Sequence, residues 1–168
     1  MTVSAGGVAI TRRPSSRIGD GLVTYMQRQA VDAALALRQH AGYERALEQL
    51  GLTVRSLPPD EATPDSVFTE DIAIVVGDKA IITRPATESR RAETESIEQT
   101  VREVVAVAGA IAAPATLEGG DVLSVDSMVY VGQSTRTNAQ GAAQLTRILE
   151  PLGYSVTPVS VRGCLHLK

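Results

Sequence analysis

The sequence predicts an α/β fold assembled from repeated strand–strand–helix–strand modules. Three observations predict it. A β-branched strand running into a polar, arginine-bearing loop recurs at residues 7–17, 79–91 and 128–138. A stretch of helical character and then a short apolar strand follow each loop. The chain has 168 residues, a length that suits one domain or a large part of one.

The elements follow in order. The first module, residues 1–60, carries a strand within 7–17, a helix within 27–50 that stops at Gly51, and a strand at 52–58. Glycine after the last helical residue is the usual left-handed cap. The second module, residues 65–115, opens with a hairpin over 71–83 that turns at Gly77–Asp78. A helix over 92–108 ending at Gly109 and a strand at 110–114 complete it. The third module, residues 118–162, repeats the hairpin over 121–132, turning at Asp126 and Ser127. Its helix starts at Thr137, where Thr137 and Gln140 form a capping-box pattern. It ends near Pro151 and Gly153, and a strand at 154–161 follows. Residues 159–168 read as extended, which sets Cys164, His166 and Lys168 on one face. A fourth module begins at 165–168. Modules of this length close a core only against their neighbours.

Composition narrows the function classes. Apolar residues make up 43% and charged residues 21%, the balance of a soluble globular protein. A net charge of -3 and 3% aromatics argue against nucleic acid and anionic membranes as partners. A single cysteine excludes an internal disulfide framework and fits a reducing compartment, so the cytoplasm is expected.

Acidic residues stand where strands begin. Asp65, Glu70 and Asp71 precede one apolar run, and Glu118 and Asp121 flank two glycines before the next. Taken singly, each is more often a solvated turn acid. Two clusters at equivalent points of a repeat converge if the modules circle a common axis. Converging carboxylates need a cation. With no Cys/His ligand set, a metal fits less well than a guanidinium, which pairs with carboxylates through parallel bonds. Arg90 and Arg136 occupy equivalent loops and suit a carboxylate. A ligand with a guanidinium at one end and a carboxylate at the other is an arginine derivative.

The stretches "DGLVT", "LPPDEATPDSVFTEDIAIV", "AIITRPATESRR", "TLEGGDVL", "VGQSTRTNAQGA" and "LHLK" resemble the dimethylarginine dimethylaminohydrolases of the guanidino-group-modifying pentein superfamily. Arginine deiminases typically carry Arg-Asp where this chain has Glu70-Asp71, and Asp in place of Lys168. The resemblance implies a five-bladed α/β propeller, of which this chain holds about three modules. It implies hydrolysis of Nω-methylated arginine to citrulline and a methylamine, without cofactor or metal. Glu118 and His166 match catalytic positions. Leu22, Asp65, Phe68, Glu70, Asp71, Arg90 and Arg136 match substrate-binding ones: Leu22 on a lid, Phe68 on a pocket wall, and the two arginines at the α-carboxylate.

In the family a cysteine thiolate attacks the guanidinium carbon, and its position lies in a module that this sequence does not contain. Cys164 does not match it. The chain is therefore expected to end inside the family fold, to be inactive alone, and to self-associate through exposed apolar surface. Two other readings stay open: a hydrolase of free arginine or another amidino compound, and a non-catalytic binding or assembly protein on the same fold.

Overall fold

A computed structural model describes residues 6–168, which fall into two compact units, the first reaching to Thr69 and the second running from Glu70 to Lys168. In the first unit, β1 (Val8–Arg12) pairs in parallel with β2 (Thr53–Leu57), with Val8 opposite Thr53. Between them runs α1 (Ala33–Gln49). Asp32 starts this helix by accepting a hydrogen bond from the Leu35 amide at 2.9 Å, which satisfies one of its free N–H groups. Gly51 follows it at φ +86°, the left-handed position expected of it.

The second unit holds two sheets of the same plan. Strands β3 (Ala73–Val76) and β4 (Lys79–Ile82) form the expected hairpin. After α2 (Ala92–Val104), β5 (Ala106–Ala110) returns parallel to β4. Strands β6 (Val122–Val125) and β7 (Met128–Gln133) form the second hairpin. After α3 (Ala139–Leu149), β8 (Ser155–Ser160) returns parallel to β7. The strand–strand–helix–strand plan therefore holds twice, and the first unit carries it without the opening strand.

The core of the second unit is shared by both sheets. Ile74 and Ile81 of one, Val129 and Val131 of the other, and Leu145 and Leu149 of α3 belong to one buried cluster. Leu117 joins it and pairs with Arg84 between the sheets: the Arg84 amide donates to the Leu117 carbonyl and the Leu117 amide to the Arg84 carbonyl. This link holds the loop after β5 in place, and that loop leads directly into Glu118.

Three local expectations are corrected. Helix α2 ends at Val104, and residues 106–110 are strand. Val105 is extended at φ -146°, as suits a β-branched run, and Gly109 lies inside the strand under Ile148. Helix α3 is capped by Asn138, whose side chain accepts from the Gly141 amide at 2.8 Å. Thr137 is buried instead, and its hydroxyl accepts from the Glu118 amide. Residues 161–168 form no strand, because Gly163 turns the chain at φ +74°. The alternation that would align Cys164 with His166 is lost: Cys164 is exposed, while His166 turns inward.

Candidate active site

The second unit gathers its charged groups at the start of each hairpin. Asp71 ends the short turn before β3 and Glu118 stands just before the turn Gly119–Asp121 that opens β6. The two glycines are what let these segments meet. A Cβ on Gly119 would lie 1.9 Å from the Glu70 carbonyl oxygen, and one on Gly120 would lie 2.7 Å from the His166 ring. The Gly120 amide donates to Asp71 Oδ1 at 3.1 Å. On the other side, the Leu167 amide donates to Asp121 Oδ1 and the Lys168 amide to the Gly120 carbonyl, which seats the histidine over the turn.

His166 is the centre of the cluster. Its Nε2 lies 3.6 Å from Asp71 Oδ1 and 3.7 Å from Glu118 Oε2, and its Nδ1 lies 3.6 Å from Asp121 Oδ2. These are ion-pair distances, beyond a hydrogen bond. Glu118 is fully buried; its carboxylate accepts from the Ala86 amide at 3.2 Å and faces Arg136 Nη1 at 3.5 Å. Arg90 is also buried. It donates to Asp71 Oδ2 at 2.8 Å and grips Glu93 through Nε and Nη2 at 3.1 and 3.0 Å. Arg136 also donates to the Thr87 hydroxyl at 3.1 Å.

Asp71, Glu93, Glu118 and Asp121 thus face two guanidiniums and one imidazole. While Glu118 is ionised, four carboxylates outnumber three cations even with the imidazole protonated. Such a site attracts a further cation. Burial pushes the Glu118 carboxyl above the usual range, and nearby Asp71 adds to this against the pull of Arg136, Arg90 and His166. The Asp121 carboxylate is the main influence holding the His166 imidazole above its ordinary value; Asp71 and Glu118 reinforce it and burial opposes it. A histidine whose protonated form is favoured by three carboxyl groups is equipped to donate a proton. Ligand atoms of Asp71, Glu118 and His166 lie within 4.8 Å of one another, close enough to hold a cation, and the Arg90 guanidinium already stands beside them.

Of the residues singled out in the sequence, Asp71, Arg90, Glu118, Arg136 and His166 meet here. Both arginines contact carboxylates of the protein itself. Glu70 belongs to the same unit and pairs with Lys168 Nζ at 2.5 Å. Leu22, Asp65 and Phe68 lie in the first unit, where both Asp65 oxygens accept from the Leu22 amide at 3.0 and 3.1 Å and Phe68 is exposed. Sequence reasoning put Asp121 in an acidic cluster with Glu118 without counting it among the site residues, and singled out neither Glu93 nor Ser134. The one available signal was spacing: Asp121 stands three residues after Glu118 across the glycines, and Glu93 three after Arg90.

Comparison with known proteins places this geometry. The chain is similar to the N-terminal domain of ArgZ, an arginine dihydrolase from cyanobacteria, with a TM-score of 0.78, covering 90% of this chain and 57% of that one. Sequence identity there is 17%, so the likeness is one of fold: the chain has the pentein fold.

The family is closer at hand. The family model for N,N dimethylarginine dimethylhydrolase, eukaryotic, matches residues 23–166. The N(G),N(G)-dimethylarginine dimethylaminohydrolase of Streptomyces coelicolor is 46% identical over 95% of this chain and 62% of its own length. A cysteine-to-serine mutant of the Pseudomonas aeruginosa enzyme, complexed with citrulline, has 46% identity and a TM-score of 0.90, covering 94% of this chain and 62% of that one. The chain belongs to the dimethylarginine dimethylaminohydrolase family. It spans about three fifths of the length of the curated relatives it matches.

Proposed function

We propose that the whole protein hydrolyses Nω-methylated arginine to citrulline and a methylamine. The observation that carries this reading is the convergence of Asp71 and Glu118 on Nε2 of His166, at 3.6 and 3.7 Å. A guanidinium resists attack because its charge is delocalised. Asp71 and Glu118 hold it in place, and the excess negative charge of the cluster draws it in. A cysteine thiolate adds to the guanidinium carbon. The C–N bond to the methylated amine then breaks, and that nitrogen leaves with the proton from His166 Nε2. The neutral imidazole next takes a proton from water, whose oxygen adds to the same carbon as the C–S bond breaks. Arg90, Arg136, Asp65, Glu70, Phe68 and Leu22 are assigned to the remainder of the substrate, as the family resemblance implies.

Cys164 is not assigned as the thiolate. It is exposed, and its thiol donates to the backbone carbonyl of its own neighbour, His166, at 3.4 Å. We therefore expect the 168-residue chain to bind methylated arginine without turnover.

Citrulline release from asymmetric dimethylarginine and from plain arginine, measured for the whole protein and for the 168-residue chain, tests both statements. The reading expects release by the whole protein, faster from the methylated substrate and abolished in His166→Gly. Faster release from plain arginine would replace the substrate assignment. Release by the 168-residue chain that disappears in Cys164→Ser would overturn the assignment of the nucleophile.

A further inference from the structure

Behind His166 lies a group that the proposed reaction leaves unused. The Ser134 hydroxyl donates to Asp121 Oδ2 at 2.6 Å, and this is the oxygen that faces His166 Nδ1 at 3.6 Å. The same hydroxyl oxygen accepts from the Arg136 amide at 2.9 Å and from the Thr137 amide at 3.2 Å. Asp121 is fully buried, and its second oxygen is taken by the Leu167 amide. His166 Nδ1 is buried and has no hydrogen-bond partner. Asp121 is thus the group set opposite this nitrogen, and Ser134 fixes which of its oxygens is presented.

We propose that Ser134 is a positioning residue for His166: it holds Asp121 Oδ2 toward the imidazole Nδ1 and ties that setting to the loop that carries Arg136. The consequence is a choice of tautomer. With an acceptor fixed at Nδ1, the neutral ring keeps its proton there, and the Nε2 lone pair stays on the side of Asp71 and Glu118. The charged groups around the ring are Asp71, Glu118 and Asp121, with Arg90 and Arg136 behind Glu118. None of the others faces Nδ1 in an ion pair among the described residues. The catalytic meaning of this arrangement rests on the reading of His166 as the proton carrier.

The test is 15N NMR of the histidine rings in wild type, Ser134→Ala and Ser134→Thr, above the titration of His166. The chain has two histidines, so a His40→Gln background identifies each signal. Wild type and Ser134→Thr, which keeps the hydroxyl, are expected to show a neutral His166 protonated at Nδ1. Ser134→Ala is expected to show a mixture of tautomers, with an amide spectrum otherwise intact. An unchanged tautomer in folded Ser134→Ala overturns the proposal. Should Ser134→Ala prove unfolded, Asp121→Asn serves in its place, and an unchanged tautomer there also overturns it. A tautomer change in a whole protein that releases no citrulline would sink the proposed reaction and leave this positioning role standing.

Discussion

At the level of single residues, the Glu118 carboxyl and the His166 imidazole are both set by what surrounds them, and both leave a signature in stability. Burial raises the Glu118 carboxyl, so the fold favours its neutral form. The contribution of that form is complete below the ordinary carboxylate range and is lost as pH rises through the raised value. Where it is ionised, Glu118 therefore costs stability. Glu118→Gln should unfold at a higher temperature than wild type near pH 7.5, with the difference shrinking toward pH 4; calorimetry across that range checks it. His166 has the matching sign. Its raised value means that stability is fully present below about pH 6.5 and falls as pH rises through the folded value. In His166→Asn the decline between pH 6 and 9 should flatten, and a slope equal to wild type would contradict the ion pairs described. Glu118 was legible in the sequence because two acidic clusters, its own and that of Asp65, Glu70 and Asp71, stand at equivalent points of the repeat, each ahead of a strand. The facing of Asp121 and His166, with Ser134 behind, was not: it depends on Leu167 and His166 folding back over the glycine turn, contacts some 46 residues apart for Leu167.

Among the elements, the third module is the best specified. Hairpin β6–β7 and its turn at Asp126 follow the sequence pattern, since Asp126 tolerates the left-handed φ of 52° the turn needs. The helix start was misplaced by one residue because Thr137 and Asn138 are both good caps. Tertiary context decides between them: the Thr137 hydroxyl serves the Glu118 amide, leaving Asn138 to serve the Gly141 and Thr116 amides. Asn138→Ala should cost about 1 kcal/mol in urea unfolding. Leu145→Ala, in the sealed core beneath, should cost about 2–5 kcal/mol. Gly141→Ala should cost more than a surface helix substitution, as its Cβ would lie 2.0 Å from the Thr116 carbonyl oxygen. A gain in stability from that substitution would contradict the packing of α3. The end of α2 was missed for a different reason. Residues 104–108 are short and apolar, and such runs read equally as helix or buried strand until a partner, here β4, is known.

On the scale of the whole molecule, repeated modules and the order of motifs made the fold class readable, and the comparisons agree with it. No helix among the described residues is long and apolar enough to cross a membrane. Helix α1 has no buried residue, and Leu35, Leu37 and Tyr43 on it are exposed. We expect the chain to self-associate, which light scattering at micromolar concentration will show as a mass above one chain; a monomer would contradict it. The central claim, that the carboxylate cluster receives a methylated guanidinium, is open to a more direct measurement. His166 is the ring at the site and His40 is the only other histidine, on α1. Titration of asymmetric dimethylarginine into the 15N-labelled chain should shift the His166 ring signals saturably and leave those of His40 in place, with the effect lost in Asp71→Asn. Unmoved His166 signals at millimolar ligand in a folded sample would contradict the account.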